Sequence, residues 1–307
     1  MTEVTHIKWK NMDAVQLENN WIRSVVLPEL GGKIVSVKYK KNDFELAAQC
    51  ESQAYGRPEF GSDFSTFDAS GLDDAFPNID EADVRWEDRK WFYPDHGEIW
   101  SSRFACEAEE ERVILTYTSP EFPYTYRKEI SLKNSQMVLR YEIRNLTEMP
   151  FPCLWTFHGL VRYEEDMRLL YEEGTDSFEN VLESPELGKK GRHIPFHNSE
   201  YDFSRVPPKK SRTMVKYYAD KKQTAGKCGW QYPGQNMECL LEYDADRLPY
   251  LGVWITAGGF RGNYNMALEP SNGYYDDVRT AEKNNSLYML KKEEPLLFEI
   301  KISMHEL

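Results

Sequence analysis

Three strand-like segments follow one another closely between residues 113 and 146, and they restrict the fold more than any other part of the chain. They are Val113–Thr118, Tyr124–Lys133 and Met137–Leu146, separated by short polar breaks. In the third segment, apolar and charged side chains alternate from Leu139 to Arg144. A period of two places one set of side chains on each face, which is typical of an antiparallel strand with one solvated side.

The same alternation, bounded by turn-forming residues, recurs along the whole chain. Further strands are predicted at Trp21–Leu27, Lys33–Lys40, Phe151–Tyr163, Met214–Ala219, Glu238–Tyr243, Tyr250–Thr256, Asn263–Pro270, Ser286–Lys291 and Leu296–Met304. No long amphipathic helix is predicted, and helices do not alternate with strands as a parallel sheet would require. The sequence therefore predicts an all-β fold built from antiparallel sheets.

The composition permits a large core and limits the partners of the protein. Apolar residues make up 40% of the 307 residues and aromatic residues 14%, which argues against disorder and allows a single domain spanning 1–307. Lys and Arg total 38 against 51 Asp and Glu, a net charge of −13. Nucleic acids and anionic membranes require a basic surface, so neither is an expected partner. A small anionic ligand held by one or two local arginines remains compatible with this charge.

The cysteines and the N-terminus indicate a reduced compartment. Five cysteines, Cys50, Cys106, Cys153, Cys228 and Cys239, show no CxxC or other metal-ligand spacing. The N-terminal residues contain no apolar signal region, and no stretch approaches the ~18 apolar residues of a membrane span. We expect a cytoplasmic protein.

His158 lies at the centre of the predicted strand Phe151–Tyr163. Alternate side chains from Phe151 to Phe157 are apolar or aromatic, whereas His158 belongs to the opposite face. Gly159 follows it, where another group can approach the backbone closely. A single histidine on a strand is more often structural than catalytic, so its role depends on the groups that the fold brings near it.

A second histidine, His96, lies in the segment Pro94–Trp100. The segment is predicted to enter a strand, whose alternation places His96, Glu98 and Trp100 on one face. A histidine, a carboxylate and an indole on one face indicate a binding site. Packing of Trp100 and a solvated edge position for Glu98 are the alternatives.

Glu269 lies near the end of the predicted strand Asn263–Pro270. Apolar side chains occupy alternate positions from Tyr264 to Leu268, so Glu269 belongs to the polar face, as His158 does in its own strand. Imidazole titrates near neutrality, and a partly buried carboxylate is a stronger base, so the two suit a reversible proton transfer. The sequence has no GxSxG elbow, phosphate-binding P-loop or dinucleotide GxGxxG motif.

Residues 51–94 show no sustained period but contain several phenylalanines, which predicts an ordered binding loop. The acidic pair Asp73-Asp74 is its most specific feature. Such a pair either caps a turn or binds hydroxyl groups of a ligand.

Several short motifs together resemble the aldose 1-epimerase (galactose mutarotase-like) superfamily. They are GGKI at 31–34, LDDAFP at 72–77, HGE at 96–98, WTFHG at 155–159, VWIT at 253–256 and ALEPSNG at 267–273. The resemblance extends from about Trp21 to Asp277, and the order of the motifs is more specific than any one of them. It implies a β-supersandwich, a large antiparallel β-sandwich that binds a sugar on a broad concave sheet, without a cofactor or a metal ion.

The resemblance also implies roles for individual residues. Glu269 would be the base that takes the proton of the anomeric hydroxyl, and His158 the acid that protonates the ring oxygen. His96 would donate a hydrogen bond near that oxygen. Further substrate-binding candidates are Asp74, Arg57, Glu98, Trp100 and Trp254.

The chain departs from the superfamily pattern after His158. Members that act on galactose and glucose usually continue with Tyr-Phe-Asn, whereas this chain has Gly159-Leu160-Val161. The sugar is therefore open, and an acidic sugar held by Arg57, Arg261 or Arg279 is one option. The sequence specifies no number of subunits.

Two other functions are compatible with these residues. A carbohydrate-binding or sensing protein would keep the fold without turnover. A metal hydrolase would use His96, His158 and Glu269 as ligands.

Overall fold

A computed structural model describes residues 1–86 and 88–307. Its helices are short: one α-helix, α1 (Val278–Lys283), and the 3-10 turns Phe64–Thr66, Ile99–Ser101, Lys209–Ser211 and Pro233–Gln235. None of the helices within these residues has the length and apolar character needed to cross a membrane. The five cysteines form no disulfide.

Strands occupy most of the remaining chain, and the all-β prediction is confirmed. The strands of the first half are β1 (Glu3–Trp9), β2 (Met12–Glu18), β3 (Ile22–Leu27), β4 (Lys33–Tyr39), β5 (Phe44–Glu45), β6 (Leu72–Ala75), β7 (Ala82–Trp86), β8 (Arg89–Tyr93), β9 (Ala105–Ala108), β10 (Arg112–Thr118), β11 (Tyr124–Lys133) and β12 (Gln136–Asn145).

The second half contains the strands that later carry the site. They are β13 (Phe151–Cys153), β14 (Thr156–Gly159), β15 (Val161–Arg162), β16 (Arg168–Leu170), β17 (Ser177–Asn180), β18 (His193–Pro195), β19 (Met214–Ala219), β20 (Lys227–Tyr232), β21 (Met237–Tyr243), β22 (Tyr250–Ala257), β23 (Tyr264–Ser271), β24 (Tyr288–Leu290) and β25 (Leu296–His305).

Two large antiparallel sheets face each other. The first has the strand order β1-β2-β3-β4-β6-β14-β23-β22-β19-β17-β18, with β5 paired to β4 and β15 to β23. The second has the order β16-β20-β21-β25-β12-β11-β10-β9. Because β6, β14 and β23 are adjacent, segments far apart in sequence lie side by side in the middle of the first sheet.

A single apolar cluster fills the space between the sheets. Leu17 and Phe157 of the first sheet and Leu139 and Ile300 of the second all belong to it and are fully buried. Burying one large apolar side chain stabilises the fold by about 1.5–3 kcal/mol. The alternation that sends these side chains inward leaves the opposite face of the first sheet free for polar groups.

The predicted strand Phe151–Tyr163 is three separate strands. β13 pairs with β24 outside the two large sheets, β14 lies between β6 and β23, and β15 pairs with β23 and bridges to Ala47. Phe157 nevertheless faces the core and His158 the opposite side, as the alternation predicts.

The predicted strand entry at Pro94–Trp100 is wrong. The segment is a turn in which Gly97 N–H donates to Pro94 O, and it continues into the 3-10 turn Ile99–Ser101. His96 has a φ of +57°, a left-handed conformation that no strand contains. The three side chains of this segment therefore do not share a strand face.

Candidate active site

A cavity of about 250 Å³ opens on the polar face of the first sheet. Strands β14, β19, β22 and β23 form its floor, and the loops before β7 and after β8 contribute to its wall. Its titratable and aromatic lining includes His96, His158, Lys216, Trp254, Glu269 and Asp276. Three residues selected from the sequence, His96, His158 and Glu269, thus meet in one place.

The His158 imidazole is oriented by Asp73 on the neighbouring strand. The two residues are direct cross-strand partners of β14 and β6, and Nδ1 of His158 lies 2.9 Å from Oδ1 of Asp73. Burial alone would raise the pKa of Asp73, but the Lys33 ammonium, 3.3 Å from Oδ2, and the imidazole outweigh it and lower that pKa. An ionised Asp73 accepts Nδ1–H, so Nε2 is the nitrogen that faces the cavity.

Glu269 lies beside this free nitrogen. Its Oε1 is 4.0 Å from Nε2 of His158 and its Oε2 is 3.6 Å from Nζ of Lys216. The carboxylate is fully buried, and neither oxygen accepts a hydrogen bond from the described residues. Burial raises the pKa of Glu269, against the opposing effect of Lys216 and His158. A desolvated carboxylate without donors is a strengthened base.

Gly252 gives the Glu269 carboxylate its space. It is the direct partner of Glu269 across β22 and β23. A Cβ at this position would lie 3.1 Å from Oε2 of Glu269 and 3.0 Å from Cζ of Tyr218. Any larger residue would therefore displace one of the two side chains.

Lys216 connects Glu269 to a second group of charges. Its Nζ lies 3.0 Å from Oδ1 of Asp276, which also accepts a 2.7 Å hydrogen bond from the Tyr218 hydroxyl. Asp80 lines the same end of the cavity, and burial together with the charge of Asp276 raises its pKa to about 6. A lysine flanked by two carboxylates compensates charges that would otherwise be costly to bury.

His96 forms the opposite wall of the cavity. Its ring stacks on Phe64, with centroids 3.8 Å apart, and meets the His158 ring edge-on at 4.9 Å. Its Nδ1 lies 2.7 Å from Oδ1 of Asp95. Burial lowers the pKa of His96, so the imidazole is neutral near pH 7. With Nδ1–H given to Asp95, the free Nε2 is a hydrogen-bond acceptor.

Solved structures share the whole architecture. A galactose mutarotase-like protein from Clostridium acetobutylicum superposes with a TM-score of 0.74 at 13% identity, covering 100% of this chain and 99% of that chain. The galactose mutarotase related enzyme from Lactobacillus acidophilus gives 0.69 at 14% identity, with 95% and 97% covered. A galactose mutarotase-like protein from Lactobacillus casei gives 0.68 at 17% identity, with 95% and 100% covered.

The chain has the galactose mutarotase-like fold. No protein-family model and no curated protein matches the sequence, and identities this low show the fold alone. The β-supersandwich expected from the sequence motifs is confirmed.

Four of the predicted site residues lie outside the cavity of this mutarotase-like sheet. Asp74 points into the core, where its carboxylate accepts from Lys128 at 2.8 Å and from two tyrosine hydroxyls. Adjacent strand residues face opposite sides, so in the acidic pair it is Asp73 that contacts the site. Glu98 is likewise buried, accepting from the hydroxyls of Tyr117 and Tyr124.

Trp100 and Arg57 also do not line the cavity, whereas Trp254 does. Trp100 is buried behind Phe64, with Nε1–H donated to the Asp95 carbonyl. Arg57 pairs with Glu29 at the surface, 2.8 Å away. The expected roles of Trp100 and Arg57 as direct contacts with a ligand in this cavity are therefore not supported by their positions.

A metal-ligand geometry occurs elsewhere in the described chain. The ligand atoms of Glu179, His193 and Asp220 lie within 4.8 Å of one another, near the β18 edge of the first sheet and away from the cavity lining. In the cavity, the hydrogen bonds of His96 and His158 to aspartates use one nitrogen of each ring. The other nitrogen of each ring, Nε2, is left without such a partner.

Of the acidic pair, Asp74 rather than Asp73 was selected from the sequence, and Asp95, Lys216 and Asp276 were not selected at all. Lys216 carried a usable signal, because a lysine in the otherwise apolar and aromatic strand β19 must find a buried partner. Asp95 and Asp276 lie on loops, where no periodicity assigns a direction to the side chain.

Proposed function

We propose that this chain, as one domain of residues 1–307, is an enzyme of the aldose 1-epimerase type. It interconverts the α and β anomers of a sugar bound in the cavity, with Glu269 as base and His158 as acid. The proposal is supported by the shared mutarotase-like fold and by the contents of the cavity. No cofactor is needed for the steps below.

The observation that carries the proposal is the close approach of Glu269 and His158. The anomeric oxygen and the ring oxygen of a pyranose are bonded to the same carbon, C1. A base for one and an acid for the other must therefore lie side by side, and the 4.0 Å between Oε1 and Nε2 satisfies this requirement.

The proton transfers follow from these positions. Glu269 takes the proton of the anomeric hydroxyl while the protonated His158 gives its Nε2 proton to the ring oxygen, and the bond between C1 and that oxygen breaks. The product is the open-chain aldehyde. Rotation about the C1–C2 bond presents the other face of the carbonyl, and reversal of both transfers closes the ring as the other anomer.

Two aspartates support this cycle. Asp73 orients His158 through the 2.9 Å contact at Nδ1, so that Nε2 faces the sugar. The neutral His96, whose Nδ1 is held by Asp95, accepts a hydrogen bond from a sugar hydroxyl at Nε2. This revises the donor role that the sequence motifs implied for His96. Trp254 offers an apolar surface for the sugar ring.

The test is the exchange rate between anomers in variants of the acid and the base. Glu269→Gln and His158→Ala each lower the rate by about 10²–10⁴-fold, since a general acid or base typically contributes that much. Saturation-transfer NMR on a panel of aldoses measures the rate above the uncatalysed background. Circular dichroism confirms that the variants are folded.

Unchanged exchange in both folded variants would contradict the proposal. Sugar binding by calorimetry without any exchange in the unmodified protein would favour the alternative, a carbohydrate-binding protein of the same fold.

A further inference from the structure

A second cavity, of about 500 Å³, adjoins the candidate active site. Its lining is mostly polar and includes Gln49, Asp68, Arg261, Asn263 and Asn265. It is twice the volume of the cavity that contains Glu269. Nothing in the proposed proton transfer uses it.

Both cavities lie on the same face of strand β23. Asn265 and Glu269 are four residues apart, so their side chains point to the same side of the sheet. At the rise of a β-strand their Cα atoms are about 13 Å apart. That separation exceeds a single pyranose ring and matches a ligand of linked rings.

A ridge of small apolar side chains separates the cavities. Ala69 lines both of them and packs with Ala48, Leu160, Ala267 and Trp254. The loop that carries Ala69 is tied to the first sheet, because Asn265 Nδ2 donates to the Ala69 carbonyl at 2.8 Å. The apolar ridge suits the C–H face of a sugar that crosses it.

Two oxygen atoms of the side chains that line the second cavity accept no hydrogen bond from the described residues. Asn265 is 1% exposed, and its Oδ1 accepts no hydrogen bond from the described residues. Lys33 and Ser70 both contact Oδ2 of Asp68, at 3.0 and 2.7 Å, which leaves Oδ1 for a ligand. A buried acceptor without a donor is costly unless a ligand or water supplies one.

Asp68 also connects the second cavity to the acid–base pair. The buried Lys33 ammonium lies between Asp68 and Asp73, and Asp73 orients His158. Three contacts in series, from Asp68 to Lys33, to Asp73 and to His158, therefore link the second cavity to the acid.

We infer that the second cavity binds a further sugar residue, so that the substrate is the reducing end of a neutral di- or oligosaccharide. The inference rests on the proposed function, because it places the reducing ring beside Glu269 and His158. The ring linked to it crosses the Ala69 ridge and uses the acceptors of Asn265 and Asp68.

The experiment compares single and linked sugars in a protein whose second cavity is filled. Gln49 is exposed and lines the second cavity but not the first, and its amide donates to the carbonyls of Val35 and Ala47 at 3.0 Å. A tryptophan there adds bulk beside the second cavity, and an alanine is the control because it loses the same two hydrogen bonds. Anomeric exchange is measured for glucose and maltose, and for galactose and β-1,4-galactobiose. We expect kcat/KM to be about tenfold or more higher for the disaccharide of the preferred pair, because linked rings occupy two subsites together.

Gln49→Trp removes this preference and leaves exchange of the monosaccharide unchanged, while the control Gln49→Ala retains the preference. Equal kcat/KM for single and linked sugars, or a preference that survives Gln49→Trp, would overturn the second subsite while the proposed function stands. If the unmodified protein exchanges no sugar, the proposed function fails, and calorimetry decides the subsite separately. Maltose or galactobiose must then bind more weakly to Gln49→Trp than to Gln49→Ala. Equal binding to the two variants would refute the second subsite.

Discussion

The basicity of Glu269 depends on a balance between burial and one ammonium group. The groups that face its carboxylate are His158, Lys216, Asp276 and the ring of Tyr218. Burial and Asp276 favour the protonated acid, whereas Lys216 and His158 favour the carboxylate. A general base acts only in its ionised form, so the proposed role of Glu269 requires the ammonium of Lys216, which lies 3.6 Å from Oε2 and lowers the pKa of Glu269.

Replacement of Lys216 by methionine tests this balance. The ammonium 3.6 Å from Oε2 is lost, so the pKa of Glu269 rises further. At low pH a smaller fraction of Glu269 is then ionised. We expect the acidic limb of the pH dependence of kcat/KM to move to higher pH. Lys216→Arg, which keeps the charge, moves it less. Profiles that superimpose for the methionine variant and the unmodified protein would contradict this assignment.

The adjacent aspartates 73 and 74 give a matched pair of substitutions. Asp73→Asn removes the carboxylate that orients the His158 ring, and we expect anomeric exchange to fall by about 10²-fold or more. Asp74→Asn leaves Lys128 buried without its partner, which destabilises the fold by about 3–5 kcal/mol. Exchange per folded molecule is retained in Asp74→Asn.

Urea unfolding and NMR exchange on the same samples separate the two effects. The assignment of faces is wrong if Asp74→Asn loses activity per folded molecule while Asp73→Asn keeps it.

At the level of elements, the site depends on the register between β22 and β23. This register places Gly252 opposite Glu269. In Gly252→Ala the new methyl group lies 3.1 Å from Oε2, so the carboxylate must shift by a few tenths of an ångström. We expect kcat to fall by about tenfold or more, because small displacements of a catalytic group are costly.

Val253→Ala is the control on the same strand. Its side chain is in the core on the opposite face, so the substitution lowers the melting temperature and leaves kcat of the folded enzyme unchanged. Similar kcat values in Gly252→Ala and the unmodified protein would show that the carboxylate has more room than its surroundings indicate.

The sequence predicts strands better than the connections that place the site. Strands Tyr124–Lys133 and Met214–Ala219 lie at the predicted residues, because alternation reports directly which face is buried. Alternation also placed His158 and Glu269 on the polar face, and both line the cavity. His96 was found from its motif, although its backbone is a left-handed turn and not a strand.

Errors arose where tertiary contacts set the direction of a side chain. Asp73 and Asp74 are chemically identical, and only the pairing of β6 with β14 decides that Asp73 meets His158. The strand predicted at Phe151–Tyr163 is divided because its first part pairs with β24, a contact between residues far apart in sequence. No local pattern contains that information.

At the level of the whole molecule, the excess of acidic over basic side chains extends into the cavity. The protein has a net charge of −13, and three carboxylates, Asp80, Glu269 and Asp276, line the cavity with two lysines, Lys190 and Lys216. The arginines considered as partners of an acidic sugar lie elsewhere. Arg57 pairs with Glu29, Arg261 donates to the Phe67 carbonyl in the second cavity, and Arg279 lies next to Asp277.

This distribution predicts that the enzyme discriminates against anionic sugars. A carboxylate or phosphate in the cavity meets three acidic groups, whose charge Lys190 and Lys216 compensate only in part. We expect kcat/KM for glucuronate and glucose 6-phosphate to be about tenfold or more below that for glucose at pH 7.5. The difference narrows at high ionic strength, because salt screens the repulsion.

The difference in kcat/KM between glucose and the two anionic sugars also narrows below pH 6 and in the variant Asp80→Asn. Since the pKa of Asp80 is about 6, acidification protonates this carboxyl and removes one of the repelling charges, as the substitution does at every pH. Both anions and glucose are compared by NMR exchange at two salt concentrations and two pH values. A higher kcat/KM for glucose 6-phosphate than for glucose would refute this prediction. The substrate would then be an acidic sugar, with Lys190 as its counter-charge.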